Sequence, residues 1–340
     1  MRPVVRIALR CMGIKVIDRK LLWGRSGNRC AFESCSQELI NTFQGGGSQP
    51  FVIGEEAHIV AETDDGPRAA SEMPQNQRDS YANLILLCPT HHTLVDKDEA
   101  AWSVERLLEM KKSHEVEVAP DLDAAALIAD EAWAGLVDTL SAMLDLTNWG
   151  FHFSGFVSAN QGTWYSSLEI IYNSSAWLNA RVFPVGHTDL QRAFETLKLV
   201  LVDLAETFER HSEAHAASGD DYFVRTAKFY KGTGFPNPRY HEQAAEYDVH
   251  VNLVTDLALE ATRSGNWLCE LVRRDIDPVF MIGTGNLQLL GGPFEDGVER
   301  WLIPVYSVED TSGASLPYSG IENFSTLRYE RDLHTSPPDA

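Results

Sequence analysis

The chain has 340 residues, of which 28 are Lys or Arg and 49 are Asp or Glu, giving a formal net charge of −21. Its 44% apolar and 10% aromatic content excludes a wholly disordered chain. No apolar run reaches the ~18 residues that span a bilayer. Because arginines interrupt the first apolar stretch and no small-residue cleavage site follows it, we expect no signal peptide and a cytoplasmic location. The surplus of acid argues against a nucleic-acid partner only if the charge is spread evenly.

The charge is in fact divided unevenly along the chain. Residues 1–118 hold 14 basic and 17 acidic side chains, whereas residues 119–340 hold 14 basic and 32 acidic ones. The first 40 residues are basic, with 8 Lys or Arg against 3 Asp or Glu. Length and charge together predict two domains, 1–118 and 119–340, of which the second is strongly acidic and unsuited to binding DNA.

Turn residues and apolar spacing predict the elements of the first domain. In chain order they are a helix within 18–29 that ends at Gly24 or Gly27, a flexible loop over 44–50, a strand region over 51–60, a turn over 64–68, a helix opened by Pro89, and a helix over 103–117.

The second domain is predicted as a mixed α+β domain with long helices. A helix covers about 122–146, and the aromatic, alternating stretch 151–185 is expected to be rich in strands. Thr188 and Gln191 suggest a capping box that opens a helix reaching about residue 215, with His211 and His215 on its solvated end. A second long helix over 240–275 and strands near 279–290 and 300–307 follow, so the chain as a whole is α+β.

Two short pairs in the first domain have the spacing of metal ligands. Cys30 and Cys35 form a C-x4-C pair, and Cys88 and His91 form a C-x2-H pair. Three thiolates and one imidazole are a common tetrahedral zinc set, and close cysteines in a reducing compartment favour a metal over a disulfide. The alternative is two unrelated buried cysteines beside a chance histidine.

The order of these residues along the chain resembles the motif of a known family. The run Gly27-Asn-Arg-Cys30, Cys35, Glu56-Ala-His58, Asn83 and Cys88-Pro-Thr-His91-His92 resembles the HNH endonucleases, over about residues 18–117. It is most similar to the HNH modules of bacterial restriction and anti-phage effectors. The resemblance implies a ββα-metal nuclease fold in which the zinc is structural, bound by Cys30, Cys35, Cys88 and His91.

The resemblance also implies roles for single residues. His58 matches the general base, Asn83 the residue that holds the histidine loop through hydrogen bonds, and His92 a ligand of the catalytic ion, Mg²⁺ or Mn²⁺. Asp96 lies four residues after His92 and shares its helix face, so the two could bind one divalent ion. For the neighbouring histidines the alternative assignment, with His92 as the zinc ligand, stays open.

One position departs from the family pattern. Many members carry Asp or His immediately before the general base, as a metal ligand, and this chain has Ala57 there. Asp96, Glu56 or water would then complete the coordination, and we favour Asp96. If none does, the site is weakened.

Together these observations predict a metal-dependent DNA endonuclease of low sequence specificity, controlled by its C-terminal domain and acting in anti-phage defence. Arg19, Lys20, Arg25 and Arg29 are expected to track DNA phosphates. One HNH site makes one nick, so a homo-oligomer is expected, and the acidic domain would respond to an activating protein or small-molecule trigger. The alternatives are a modification-dependent restriction endonuclease and a zinc-stabilised binding module without activity.

Overall fold

The computed structural model describes residues 13–35, 37–41, 51–69, 72–121, 124–231, 237–294 and 296–331. The chain forms two compact units. The first runs to Thr139 and includes Asp275–Pro278, and the second holds Leu140–Arg274 and the residues from Val279 onward. Within the described ranges, no helix combines the length and apolarity that crossing a membrane requires.

The first unit is built of short elements. They are α1 (Val16–Arg25), β1 (Ile40–Asn41), β2 (Phe51–Val52), β3 (Glu55–His58), β4 (Leu84–Leu87), α2 (Pro89–Lys97), α3 (Val104–Val118) and the start of α4 (Ala124–Leu144). Strands β1 and β2 pair antiparallel, as do β3 and β4. The predicted loop over 44–50 lies outside the described residues.

The core of the first unit surrounds β4, whose four side chains are fully buried. Pro89 opens α2 at a position where a missing N–H costs no hydrogen bond, and the Ser103 hydroxyl caps α3 by accepting from the Arg106 amide. Asp138 of α4 accepts hydrogen bonds from the first amides of α1, at 2.9 and 2.8 Å. This contact explains why the first unit extends beyond residue 118, where the sequence alone ended the first domain.

The second unit combines long helices with small sheets. Its elements are the end of α4, α5 (Trp149–Phe153), β5 (Gly162–Trp164), α6 (Tyr165–Asn179), α7 (Thr188–Arg210), β6 (Ser212–Ser218), β7 (Asp221–Thr226), α8 (Tyr240–Asp275), β8 (Leu289–Gly291), β9 (Arg300–Leu302), α9 (Val308–Ser312) and α10 (Ile321–Arg331). One sheet has the order β5-β7-β6, and β8 pairs with β9. Apolar residues at helical spacing along α7 are fully buried, namely Leu190, Phe194, Leu197, Leu201, Leu204 and Phe208.

Three expectations for this unit were wrong. The stretch 151–185 holds one short strand and is mainly helical, because buried serines such as Ser167 and Ser174 complete the inner face of α6 and conceal its helical period. The long helix ends at Arg210 and not near 215, since Ser212–Ser218 turns back through Gly219, at φ +62°, to pair with β7. Thr188 is the first helical residue, so no capping box forms around it.

The mixed α+β class is confirmed, with small sheets and helices in the first unit and long helices in the second. The prediction of a nuclease domain followed by a control domain concerns function, and it stays a prediction.

Candidate functional site

A hairpin and a helix form the centre of the first unit. Strand β3 pairs with β4 in the register Glu55↔Leu87 to His58↔Leu84, and α2 begins two residues after β4 ends. Residues 59–83 connect the strands and return Asn83 to the start of β4. This two-strand, one-helix unit therefore carries both histidine positions that the sequence singles out, His58 at the end of β3 and His92 on the first turns of α2.

The four predicted zinc ligands come together at one side of this unit. Their ligand atoms all lie within 4.8 Å of one another, and they come from two loops and the start of α2. The Nδ1 atom of His91 lies 3.2 Å from the Cys88 Sγ and 3.6 Å from the Cys30 Sγ. Three sulfurs and one imidazole nitrogen at this separation fit the donor set of a structural zinc site.

The side chains of the cluster are packed in place. Burial raises the pKa of the Cys30 thiol to about 12. The Phe32 ring stacks on the His91 ring at 3.8 Å, which fixes the orientation of the imidazole. His91, and not His92, is thus the histidine that lies with the three cysteines.

His92 instead lies between two carboxylates. Its Nδ1 contacts Glu55 of β3, and its Nε2 lies 3.2 Å from the Asp96 Oδ2 one helical turn later. A histidine that ligates a metal usually donates its other ring N–H to a carboxylate. Glu55 is suited to that supporting position, which leaves Nε2 and the Asp96 carboxylate as the donor pair for a hard divalent ion.

Of the candidates to replace the ligand absent at Ala57, Glu56 is engaged elsewhere. Its carboxylate accepts from the Arg19 guanidinium at 2.7 Å and from the Trp23 indole N–H at 2.8 Å, both on α1. Of the two candidate acids, Asp96 is the one that lies beside His92.

Among the described residues, His58 has one side-chain partner. Its Nε2 lies 3.0 Å from a carboxylate oxygen of Asp79, which stands in the loop between the strands. Its Nδ1 makes no hydrogen bond to any part of the chain that the structure describes. With Nε2 protonated toward Asp79, Nδ1 carries the lone pair that a general base needs.

Asn83 is completely buried and uses its whole amide group. The Oδ1 atom accepts from the Val60 amide at 2.9 Å, and Nδ2 donates to the carbonyl oxygens of Val60 and Arg78 at 2.8 and 2.7 Å. These bonds tie the residues that follow His58 to the loop that carries Asp79. A fully buried amide with three such partners is suited to holding the loop.

Lys111 of α3 braces the same loop from the other side. Its buried ammonium donates to the carbonyl oxygens of Tyr81 and Leu84, on either side of Asn83, at 2.5 and 2.8 Å. Burial lowers the pKa of Lys111 to about 8, although Glu115 lies 3.6 Å away.

Arg68 connects the histidine strand to the histidine helix. Its nearly buried guanidinium donates to the carbonyl oxygens of His58, Ile59 and Val95 and to the Asp96 carboxylate, the last at 2.7 Å. The bond to Asp96 uses Oδ1 and leaves Oδ2 beside the His92 ring. Arg68 therefore holds Asp96 in place relative to the backbone of His58.

The predicted DNA-binding cations differ in availability. Arg19 forms ion pairs with Glu56 and with the buried Asp277, and Lys20 lies 2.8 Å from Asp130. Such pairing satisfies these two side chains inside the protein, so they have less to offer a phosphate. Arg25 and Arg29 are exposed, with the Arg25 guanidinium 5.4 Å from the Tyr81 ring centre.

Three residues around the site were not assigned roles from the sequence. Glu55 and Asp79 are ordinary acidic residues whose distance along the chain from His92 and His58 gives no spacing signal. Arg68 follows a Gly-Pro turn and has a positive φ of 56°, which a sequence does not display. Only the folded loop brings these side chains to the histidines.

In the comparison with curated proteins, no protein matches this chain. A family model described as HNH endonuclease matches residues 30–100. That range begins at Cys30, the first residue of the cysteine–histidine cluster, and includes His58 and His92 of the ββα unit, so the residues that the family model matches are those that form this unit. The chain contains an HNH-family domain.

Proposed function

We propose that the chain is a metal-dependent DNA endonuclease. The observation that carries the proposal is a paired arrangement within the matched ββα unit, in which His58 is held by Asp79 and His92 is held between Glu55 and Asp96. One pair supplies an oriented base, and the other supplies donors for a cation. Phosphodiester hydrolysis requires both.

His58 acts in this proposal as the general base. The Asp79 carboxylate accepts the hydrogen bond from Nε2, which selects the tautomer with an unprotonated Nδ1. That nitrogen takes the proton of the attacking water as the water oxygen approaches phosphorus. Asn83 and Arg68 contribute indirectly, since they fix the backbone on both sides of His58.

His92 and Asp96 would hold the catalytic ion, for which Mg²⁺ or Mn²⁺ fits a site that includes carboxylate oxygen. When bound, such an ion supplies positive charge to the scissile phosphate and the leaving oxygen. Glu55 orients the His92 ring, and Arg68 orients the Asp96 carboxylate. The zinc cluster is proposed as a structural site that ties Cys30 and Cys35 to the start of α2.

Charge supports DNA as the substrate and residues 1–118 as the part of the chain that binds it. Residues 1–118 are nearly neutral with a basic leading segment, whereas residues 119–340 hold 32 acidic and 14 basic side chains. One ββα unit contacts mainly the DNA backbone, which favours low sequence specificity. We further propose that the acidic part controls cleavage, that the protein acts as a homo-oligomer in anti-phage defence, and that it works in the cytoplasm, where its free thiols stay reduced.

The test is a plasmid-nicking assay of the purified full chain with Mg²⁺, Mn²⁺ or EDTA. Wild type should nick supercoiled plasmid only with a divalent ion, and His58→Ala and His92→Ala should each lower the rate by ~100-fold or more. His241→Ala, which removes an exposed histidine of α8, is the matched control and should cut like wild type. Activity of His58→Ala equal to that of wild type would refute the proposal.

The same assay separates the alternatives. Cleavage restricted to plasmid carrying modified bases would identify a modification-dependent restriction endonuclease. Complete absence of nicking by folded, zinc-loaded protein on every substrate, with phage lysate included as a source of activator, would favour the inactive binding module that Ala57 makes conceivable.

A further inference from the structure

The second unit contains a cavity of about 410 Å³ that the proposed nuclease function does not use. It lies at the β5-β7-β6 sheet beside α8. Its described lining residues are Asn160, Gln161, His215, Phe223, Arg225, Thr226, Lys228 and Tyr247. This volume is in the range of small-molecule sites, ~300–1,000 Å³.

The electrostatics of this cavity are opposite to those of its surroundings. Residues 119–340 carry more than twice as many acidic as basic side chains, yet none of the described lining residues is acidic, and Arg225 and Lys228 are cationic. Glu213 lies 2.8 Å from the Arg225 guanidinium and holds it in place from outside the lining. The Lys228 ammonium has no partner among the residues that the structure describes. Positive charge at a cavity of an otherwise acidic domain favours binding of a small anion there.

One buried side chain cross-links the elements around the cavity through hydrogen bonds. Gln161 is buried, and its amide donates to the Phe156 and Val251 carbonyl oxygens and to the Thr255 hydroxyl, while Oε1 accepts from Thr226. These bonds join β5, β7 and α8. A site whose elements are already joined loses less entropy on binding.

Two features of the sheet direct polar and aromatic groups to this cavity. Phe223 and Arg225 are two residues apart on β7 and therefore share a face. The register of β6 shifts between Ala214 and Ala216, and this bulge turns His215 to within 3.5 Å of the Arg225 guanidinium. With Tyr247 on α8, the lining offers two aromatic rings beside the cations.

We propose that this cavity binds a small phosphorylated ligand with an aromatic ring, of the size and chemistry of a mononucleotide. Lys228 takes the phosphate as a charge-assisted donor, and Arg225 adds the N–H groups that Glu213 does not engage. Phe223 and Tyr247 contact the ring, and Asn160 lies at the rim as a polar contact. The proposal concerns the second unit alone and does not depend on nuclease activity.

Calorimetric titration of the full chain with the four ribonucleoside 5′-monophosphates tests it, with inorganic phosphate and adenosine as partial ligands. At least one mononucleotide should bind, and Lys228→Ala and Arg225→Ala should each weaken its binding about tenfold. Arg239→Ala, which removes an exposed cation of the same unit that pairs with Glu242, is the control and should bind like wild type.

Each result decides the matter. Absence of binding by all four mononucleotides at millimolar concentration would overturn the proposal, as would equal binding by wild type and Lys228→Ala. If inorganic phosphate bound as tightly as the mononucleotides, the proposed contact of Phe223 and Tyr247 with a ligand ring would be wrong. Because Arg225 also pairs with Glu213, its variant counts only if its circular dichroism matches wild type, and Lys228, which is exposed and unpaired among the described residues, then carries the test alone.

Discussion

Asn83→Ala is the change that best separates a structural role from a catalytic one at this site. The side chain has no exposed surface, and its three hydrogen bonds reach the Val60 amide and the carbonyl oxygens of Val60 and Arg78. Alanine removes all three partners and leaves those backbone groups buried.

The magnitude follows from these contacts. A buried donor or acceptor left without a partner costs ~1–3 kcal/mol, so three of them predict a loss of at least ~3 kcal/mol in the free energy of unfolding. That is a large fraction of the ~5–15 kcal/mol that stabilises a typical domain. Asn83→Asp should cost at least as much, since a second carboxylate oxygen would face the two carbonyl oxygens in place of an N–H donor.

The measurement is denaturant unfolding of wild type and variants, followed by tryptophan fluorescence, beside the nicking rate at a temperature where each variant is folded. Asn76→Ala is the matched control, because Asn76 is exposed in the same loop, and it should change stability by no more than ~0.5 kcal/mol. If Asn83→Ala keeps wild-type stability within 1 kcal/mol but loses nicking, the buried-network argument is wrong and Asn83 acts on substrate.

Three further predictions concern the zinc cluster, the base and the second unit. Wild type should contain about one zinc per chain by elemental analysis, and Cys88→Ser should lose the zinc and several kcal/mol of stability; a folded, zinc-free wild type would contradict this. Asp79→Ala should lower the nicking rate ~10- to 100-fold with Asp79→Glu partly restoring it, while Asp64→Ala, at an exposed acid of the same loop, should leave the rate unchanged. Burial lowers the pKa of His250 from 6.5 to about 4 in the folded state. As the pH falls from 6.5 towards 4, the unfolded state therefore binds a proton that the folded state does not yet bind. The free energy of unfolding should therefore drop by ~1–2 kcal/mol between pH 7 and pH 5 on account of this group, and His250→Gln should reduce that slope; an unchanged slope would refute the assignment.

The sequence predicted those helices that are specified by residues close together in the chain. Proline at the first turn of α2, the Ser103 cap of α3 and the apolar stripe of α7 all act over a few residues, and these helices form close to where they were expected. The prediction failed for α6, because the residues that complete its buried face are serines, and burial of serine depends on the neighbouring helix and not on its own hydropathy. It also failed for β6, which is exposed along nearly its whole length and is defined by pairing with β7.

The candidate site also combines features that the sequence predicted with features that only the tertiary structure decided. Spacing alone identified the cysteines and histidine of the metal cluster, because metal ligands that share one ion recur at short intervals. The resemblance to the HNH endonucleases, and not spacing, singled out His58, Asn83 and His92. Only the tertiary structure decided which carboxylate contacts which histidine. It brought Asp79 to His58 from 21 residues away, placed Glu55 and Asp96 on opposite sides of His92, and tied Asp96 to the His58 backbone through Arg68. It also paired Arg19 with two carboxylates, one of them 258 residues distant. The spacing of metal ligands can be read from the sequence. The partners of a charged side chain depend on which loops the folded core brings together.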